Sequence, residues 1–153
     1  MDVYVWLPEC RPDDLARFID GYVDTEAPGE LRLPAFRRVY IDGTGTESDS
    51  RALAELRASD GSGAFAMYLR ARAYNQAIIA VTGEGTAVLG LSIDDPDGAP
   101  ETLGRARQLL DRLRVEFAAP AGLAGVDLPP PRSRAEWAED DQVQIRVGAL
   151  PAG

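Results

Sequence analysis

The chain has no histidine, no lysine and a single cysteine, Cys10. Each absence removes a class of chemistry. Without histidine there is no side chain that ordinarily trades protons near neutral pH, and the commonest transition-metal ligand is missing. A serine nucleophile lacks its usual histidine base, and lysine-based variants and Schiff bases are excluded as well. One cysteine cannot close an internal disulfide, so nothing demands an oxidising compartment. No apolar run approaches the roughly 20 residues of a membrane span. The opening MDVYVWLPEC lacks the basic and apolar regions of a secretory signal. These absences lead us to expect a soluble cytoplasmic protein with no bound cofactor and no membrane contact.

What is present is acidic. The 153 residues carry 25 acidic and 16 basic side chains, a net charge of −9. Such a balance disfavours nucleic acid, whose affinity comes from cationic side chains meeting phosphate. It favours a basic protein partner, drawn in by the field of the whole molecule. The length suits one domain, large enough to bury a core without staples. We expect a single α+β domain over 1–148 and a loose tail over 149–153.

The patterning predicts an element order β-α-β-α-β-β-β-α-β. Val3, Val5 and Leu7 alternate with Tyr4 and Trp6, which reads as an interior strand apolar on both faces. Leu15, Phe18, Ile19 and Tyr22 follow the helical spacing behind Pro12, Asp13 and Asp14. A strand is expected over 36–42, then a short helix through Ala58 capped by Ser48 or Asp49. Strands over 64–74, 77–81 and 87–93 read as an antiparallel meander. The longest helix carries Leu103, Ala106, Leu109, Leu110, Leu113 and Phe117 and stops at Pro120. Residues 120–132, with PPP at 129–131, read as an extended surface run that can act as a spacer or dock on an aromatic groove. Ser133 and Glu136 pair as a capping box for a turn bearing Trp137, and 142–147 reads as a last strand. The fold class expected is a largely antiparallel sheet with helices packed mainly on one face.

Three GxG segments, at 43–45, 61–63 and 83–85, read as turns. They lack the spacing and the lysine of a phosphate loop, and Asp42, Glu47 and Asp49 crowd the first. Asp94, Asp95 and Asp97 with Glu101 offer carboxylate oxygens to a hard cation, but aspartates ahead of a helix are accounted for by capping and the dipole. Cys10, just ahead of a helix, reads as a passive, partly buried residue rather than an activated thiol. No catalytic, cofactor or metal residues are assigned.

Two surfaces stand out as candidates. Arg38, Tyr40, Tyr68, Arg70, Arg72 and Tyr74 would converge if their strands share a sheet face, and tyrosine and arginine are enriched where proteins meet. That face also suits a homodimer. The acidic candidate is Asp94, Asp95, Asp97, Glu139, Asp140 and Asp141. The expectation is a non-enzymatic protein-binding module, in its sharpest form an immunity-type inhibitor that covers the active site of a toxin or other enzyme. The alternative is a small ligand-binding protein or enzyme using carboxylates with Arg and Tyr in a pocket.

Overall fold

The computed structural model describes residues 1–57, 61–95 and 100–152. Its centre is a six-stranded antiparallel sheet in the order β2-β3-β4-β1-β5-β6. The elements in chain order are β1 (Asp2–Leu7), α1 (Pro12–Tyr22), α2 (Leu33–Arg37), α3 (Glu47–Ala54), β2 (Phe65–Leu69), β3 (Gln76–Val81), β4 (Ala87–Ser92), α4 (Pro100–Phe117), β5 (Ala121–Gly125), α5 (Arg134–Glu139) and β6 (Ile145–Gly148). This is the expected α+β class, with the meander β2-β3-β4 in place.

β1 lies between β4 and β5, and its side chains serve two cores. Val3, Val5 and Leu7 join a large core under α1, α2, α3 and α4, including Phe18, Phe36, Leu110 and Phe117. Tyr4 and Trp6 point the other way, into a smaller core with Ile78, Val88, Leu123, Leu128 and Trp137. A strand with no solvent face therefore reads as a continuous apolar run, which is the signal seen in the sequence.

Two expected elements are replaced. Residues 36–42 are not a strand: α2 runs on into a π-helical turn, Arg38–Asp42. Leu33, Phe36 and Tyr40 keep helical spacing, and the Phe36 and Tyr40 rings stack at 4.8 Å, a contact that residues four apart make on a helix and cannot make along one strand. A run this short fits either period. Nor is 120–132 wholly a surface run. Its first part is β5, with all five residues buried between β1 and β6. Its glycines hide the strand signal, and Gly122 packs closely under α4: a Cβ there would come within 2.4 Å of the Leu110 side chain, which would have to shift.

The remainder, residues 126–132, is a strap over the sheet's second face. Leu128 anchors it, with its N–H donating to Asp2 Oδ2 at 2.9 Å and its carbonyl accepting from the Tyr4 hydroxyl at 2.5 Å. Pro130 and Pro131 are buried. Beyond them the Trp137 ring meets Trp6 edge-on at 5.4 Å. Leu150 packs into the same core, and Pro151 O accepts from Arg134, so the stretch after β6 is tied down over these residues.

Smaller differences have local causes. β2 ends at Leu69, because the N–H groups of Arg70 and Arg72 turn to Pro28 O and Tyr22 O instead of continuing the ladder. The cap of α3 is Thr46, in a reciprocal box with Asp49, and Ala58 lies outside the described residues. Ser133 does accept from the Glu136 N–H, but the Glu136 carboxylate is taken by Arg132. Leu103 faces out on α4, and Thr102 is buried instead.

Candidate functional site

One end of the sheet gathers most of the chemistry. The register sets Leu69 opposite Ala77, Gln76 opposite Ser92, Ser92 opposite Asp2, Asp2 opposite Gly125, and Ala124 opposite Ile145. The ends of β2, β4 and β5 and the starts of β3, β1 and β6 therefore lie together. Asp94 and Asp95 follow β4 there, Asp127 follows β5, and Glu139, Asp140 and Asp141 lead into β6. β4 and β6 are three strand spacings apart, about 15 Å, and Glu139 and Asp140 are the last residue and the cap of α5, ahead of β6.

These acids are short of ion-pair partners. Among the described residues, none of Asp94, Asp95, Asp127, Glu139, Asp140 or Asp141 is ion-paired with an arginine. Among the described residues, the Asp140 carboxylate accepts only from the Gln142 N–H, at 2.9 Å. Arg146, the nearest cation along β6, donates to the Trp137 and Asp140 carbonyls. Asp94, Asp127, Glu139 and Asp141 are exposed. One oxygen of Asp95 is buried with no hydrogen-bond partner. No group of three metal-ligating side chains forms among the described residues, and Asp97 lies outside them. Asp127 was missed in the sequence because it stands alone there; only the strand register brings it beside the other two segments.

The six Tyr and Arg candidates are distributed rather than gathered. Arg38 forks onto Asp49, Nε to Oδ2 at 2.8 Å and Nη2 to Oδ1 at 2.7 Å. Tyr40 packs between Phe36 and Phe65, where burial pushes its phenol up. Tyr68 alone points to the second face. It borders a groove of about 330 Å³ floored by Ala66 and Ala80 and walled by Pro129 and Pro130. Arg70 and Arg72 are exposed beyond the end of β2. Tyr74 lies on the helix side, with its ring 6.1 Å from Tyr22 and its hydroxyl bonded to Arg112 of α4.

That last contact opens onto a cleft of about 350 Å³, lined by Tyr74, Asn75, Ile93, Asp94, Arg105, Gln108, Leu109 and Arg112. It sits at the same end of the sheet, under α4. Arg105 Nη2 donates to Asp94 O at 3.2 Å. Below it, the Tyr22 hydroxyl donates to Glu116 Oε2 at 2.5 Å, and burial together with that bond pushes the Tyr22 phenol well up.

Elsewhere the candidates are structural. Burial pushes the Cys10 thiol up to about 11, so the helix that follows does not activate it. Gly43, Gly61, Gly63 and Gly85 all have positive φ, as turn glycines do. The first GxG lies between two helices, not between a strand and a helix. No helix among the described residues is long and apolar enough to cross a membrane. Comparisons of the chain with family models, with curated proteins and with solved structures find no match.

Proposed function

We propose that the protein is a non-enzymatic acidic binding module that captures a basic protein through the carboxylate end of its sheet. In its sharpest form it is an immunity-type inhibitor that neutralises a toxin or other enzyme by covering its active site. The observation that carries this reading is the set of carboxylates on segments flanking β4, β5 and β6, none of which forms an ion pair with an arginine among the described residues. Unpaired acids in a row raise the local negative potential, which speeds the encounter with a basic surface. A cytoplasmic location accompanies the reading, because the single half-buried cysteine needs no oxidising environment.

The test is affinity capture from the native organism's lysate, comparing the natural chain with a variant carrying Asp94→Asn, Asp127→Asn, Asp140→Asn and Asp141→Asn. One stoichiometric basic protein, held by the natural chain at low salt and lost both at high salt and with the variant, is the expected result. Equal capture by both chains would remove the carboxylate row from the account, and a bait without any partner would remove the docking function.

A further inference from the structure

We infer that the cleft between α4 and the β2–β3 connection binds a small organic oxyanion, a phosphate or carboxylate on a compact polar molecule. Arg105, Gln108 and Arg112 lie two turns of α4 apart from first to last, on one side of the helix. Both guanidiniums line the same cavity of about 350 Å³. That size is at the small end of ligand pockets, which run from about 300 to 1,000 Å³.

The two arginines are oriented without being neutralised. Arg105 is held by Asp94 O at 3.2 Å and Thr102 Oγ1 at 3.5 Å, both through Nη2. Arg112 is held by the Tyr74 hydroxyl, also through Nη2. A guanidinium has five N–H donors in a flat fork. Among the described residues, neither arginine has a carboxylate partner, and the Nε and Nη1 donors of both have no protein acceptor. This differs from Arg17, Arg32, Arg38, Arg107 and Arg132, each of which is ion-paired to a nearby acid. In a chain of net charge −9, two guanidiniums on one cavity with no ion pair of their own suit an oxyanion, because such forks bind phosphate and carboxylate through paired charge-assisted hydrogen bonds.

The rest of the lining fits a ligand with hydroxyl or amine groups beside its anion. The side-chain amides of Asn75 and Gln108 have no hydrogen-bond partner among the described residues. Asp94 adds one carboxylate to the cleft, and Ile93 and Leu109 supply an apolar contact. The site does not depend on the docking reading, and either can fail without the other.

The experiment is a titration of the ¹⁵N-labelled full chain with inorganic phosphate and, separately, with citrate, at constant ionic strength. Saturable shifts at Tyr74, Asn75, Ile93 and Asp94 and at the Arg105 and Arg112 side chains are expected. Saturation by phosphate alone identifies a phosphate ester as the ligand class, and saturation by citrate alone identifies a carboxylate. The Arg105→Gln/Arg112→Gln double variant weakens binding by about tenfold or more, the loss expected for charge-assisted hydrogen bonds. Arg105→Gln alone leaves the Tyr74 contact in place and shifts affinity in the same direction. Arg107→Gln, on the outer side of α4 and paired to Asp111, leaves it unchanged. Linear, unsaturated shifts, or equal affinity in the double variant and in Arg107→Gln, would overturn the inference.

Discussion

Asp49, at 6% exposure, accepts both Arg38 donors and the Thr46 N–H, while its own N–H bonds the Thr46 hydroxyl. The Arg38 fork comes first among the causes that hold its carboxyl well below the usual aspartate range. The folded protein therefore takes up this proton less readily than the unfolded chain, whose aspartates titrate near pH 3.9. The resulting stabilisation is complete above that value and drains away as the pH falls below about 4. Urea midpoints measured at pH 7 and pH 3 should drop less between the two for Asp49→Asn than for the natural chain, and an equal drop would show that the pair does not couple to folding. Asp49 was legible in the sequence only as a capping candidate. Its partner Arg38 had been assigned to a strand, and pairing 11 residues apart across a helix–turn–helix corner has no local signature.

At the scale of elements, what the sequence made legible follows side-chain size. α1 and α4 carry large apolar residues at helical spacing, and β1, β3 and β4 are short apolar runs bounded by turn residues, so all five were readable. β5 is built from alanine, glycine and one leucine because α4 crosses close above it, so the residues that make the packing possible remove the strand signature. Likewise Gly90 leaves room for the Tyr4 ring, which a Cβ would meet at 2.5 Å. α2 and its π turn are too short for a period to decide. The strap was legible in part: Trp137 reads as an internal anchor, but its target, Trp6, lies more than a hundred residues away. The edge-to-face pair adds about 0.5–1.5 kcal/mol beyond area burial, against the cost of the unpartnered Trp6 indole N–H. Trp137→Ala should destabilise the chain by about 3–5 kcal/mol in urea denaturation. Val115→Ala, at a site 83% exposed, should change stability by less than about 0.5 kcal/mol. A Trp137→Ala loss as small as that of Val115→Ala would mean the second core is not closed by the strap.

Across the whole molecule, charge is sorted by position more than by sequence. Several acids near α1, α2 and α3 are matched by arginines, while, among the described residues, Asp94 and Asp95 after β4, Asp127 after β5 and Glu139, Asp140 and Asp141 ahead of β6 are not. The strand order makes the difference, since it brings together segments near positions 94, 127 and 140 that are separate along the chain. Composition alone pointed to an acidic partner-binding protein, and two of the three acidic segments were legible as runs. That these segments flank strands of one sheet was not, because strand order is a non-local property. The Tyr/Arg face failed to assemble for the same reason: its residues sit on a π turn, a strand and a loop that the topology sends to different sides.

The most direct measurement of the central claim is a titration of the captured basic partner's own activity with this protein. The account predicts complete loss of activity at one equivalent of the natural chain, with weaker inhibition by the Asp94→Asn, Asp127→Asn, Asp140→Asn, Asp141→Asn variant. Its association rate should fall by about tenfold or more as salt is raised across the range that screens surface charge. Undiminished activity at saturating protein, or inhibition indifferent to both the four substitutions and salt, would contradict it.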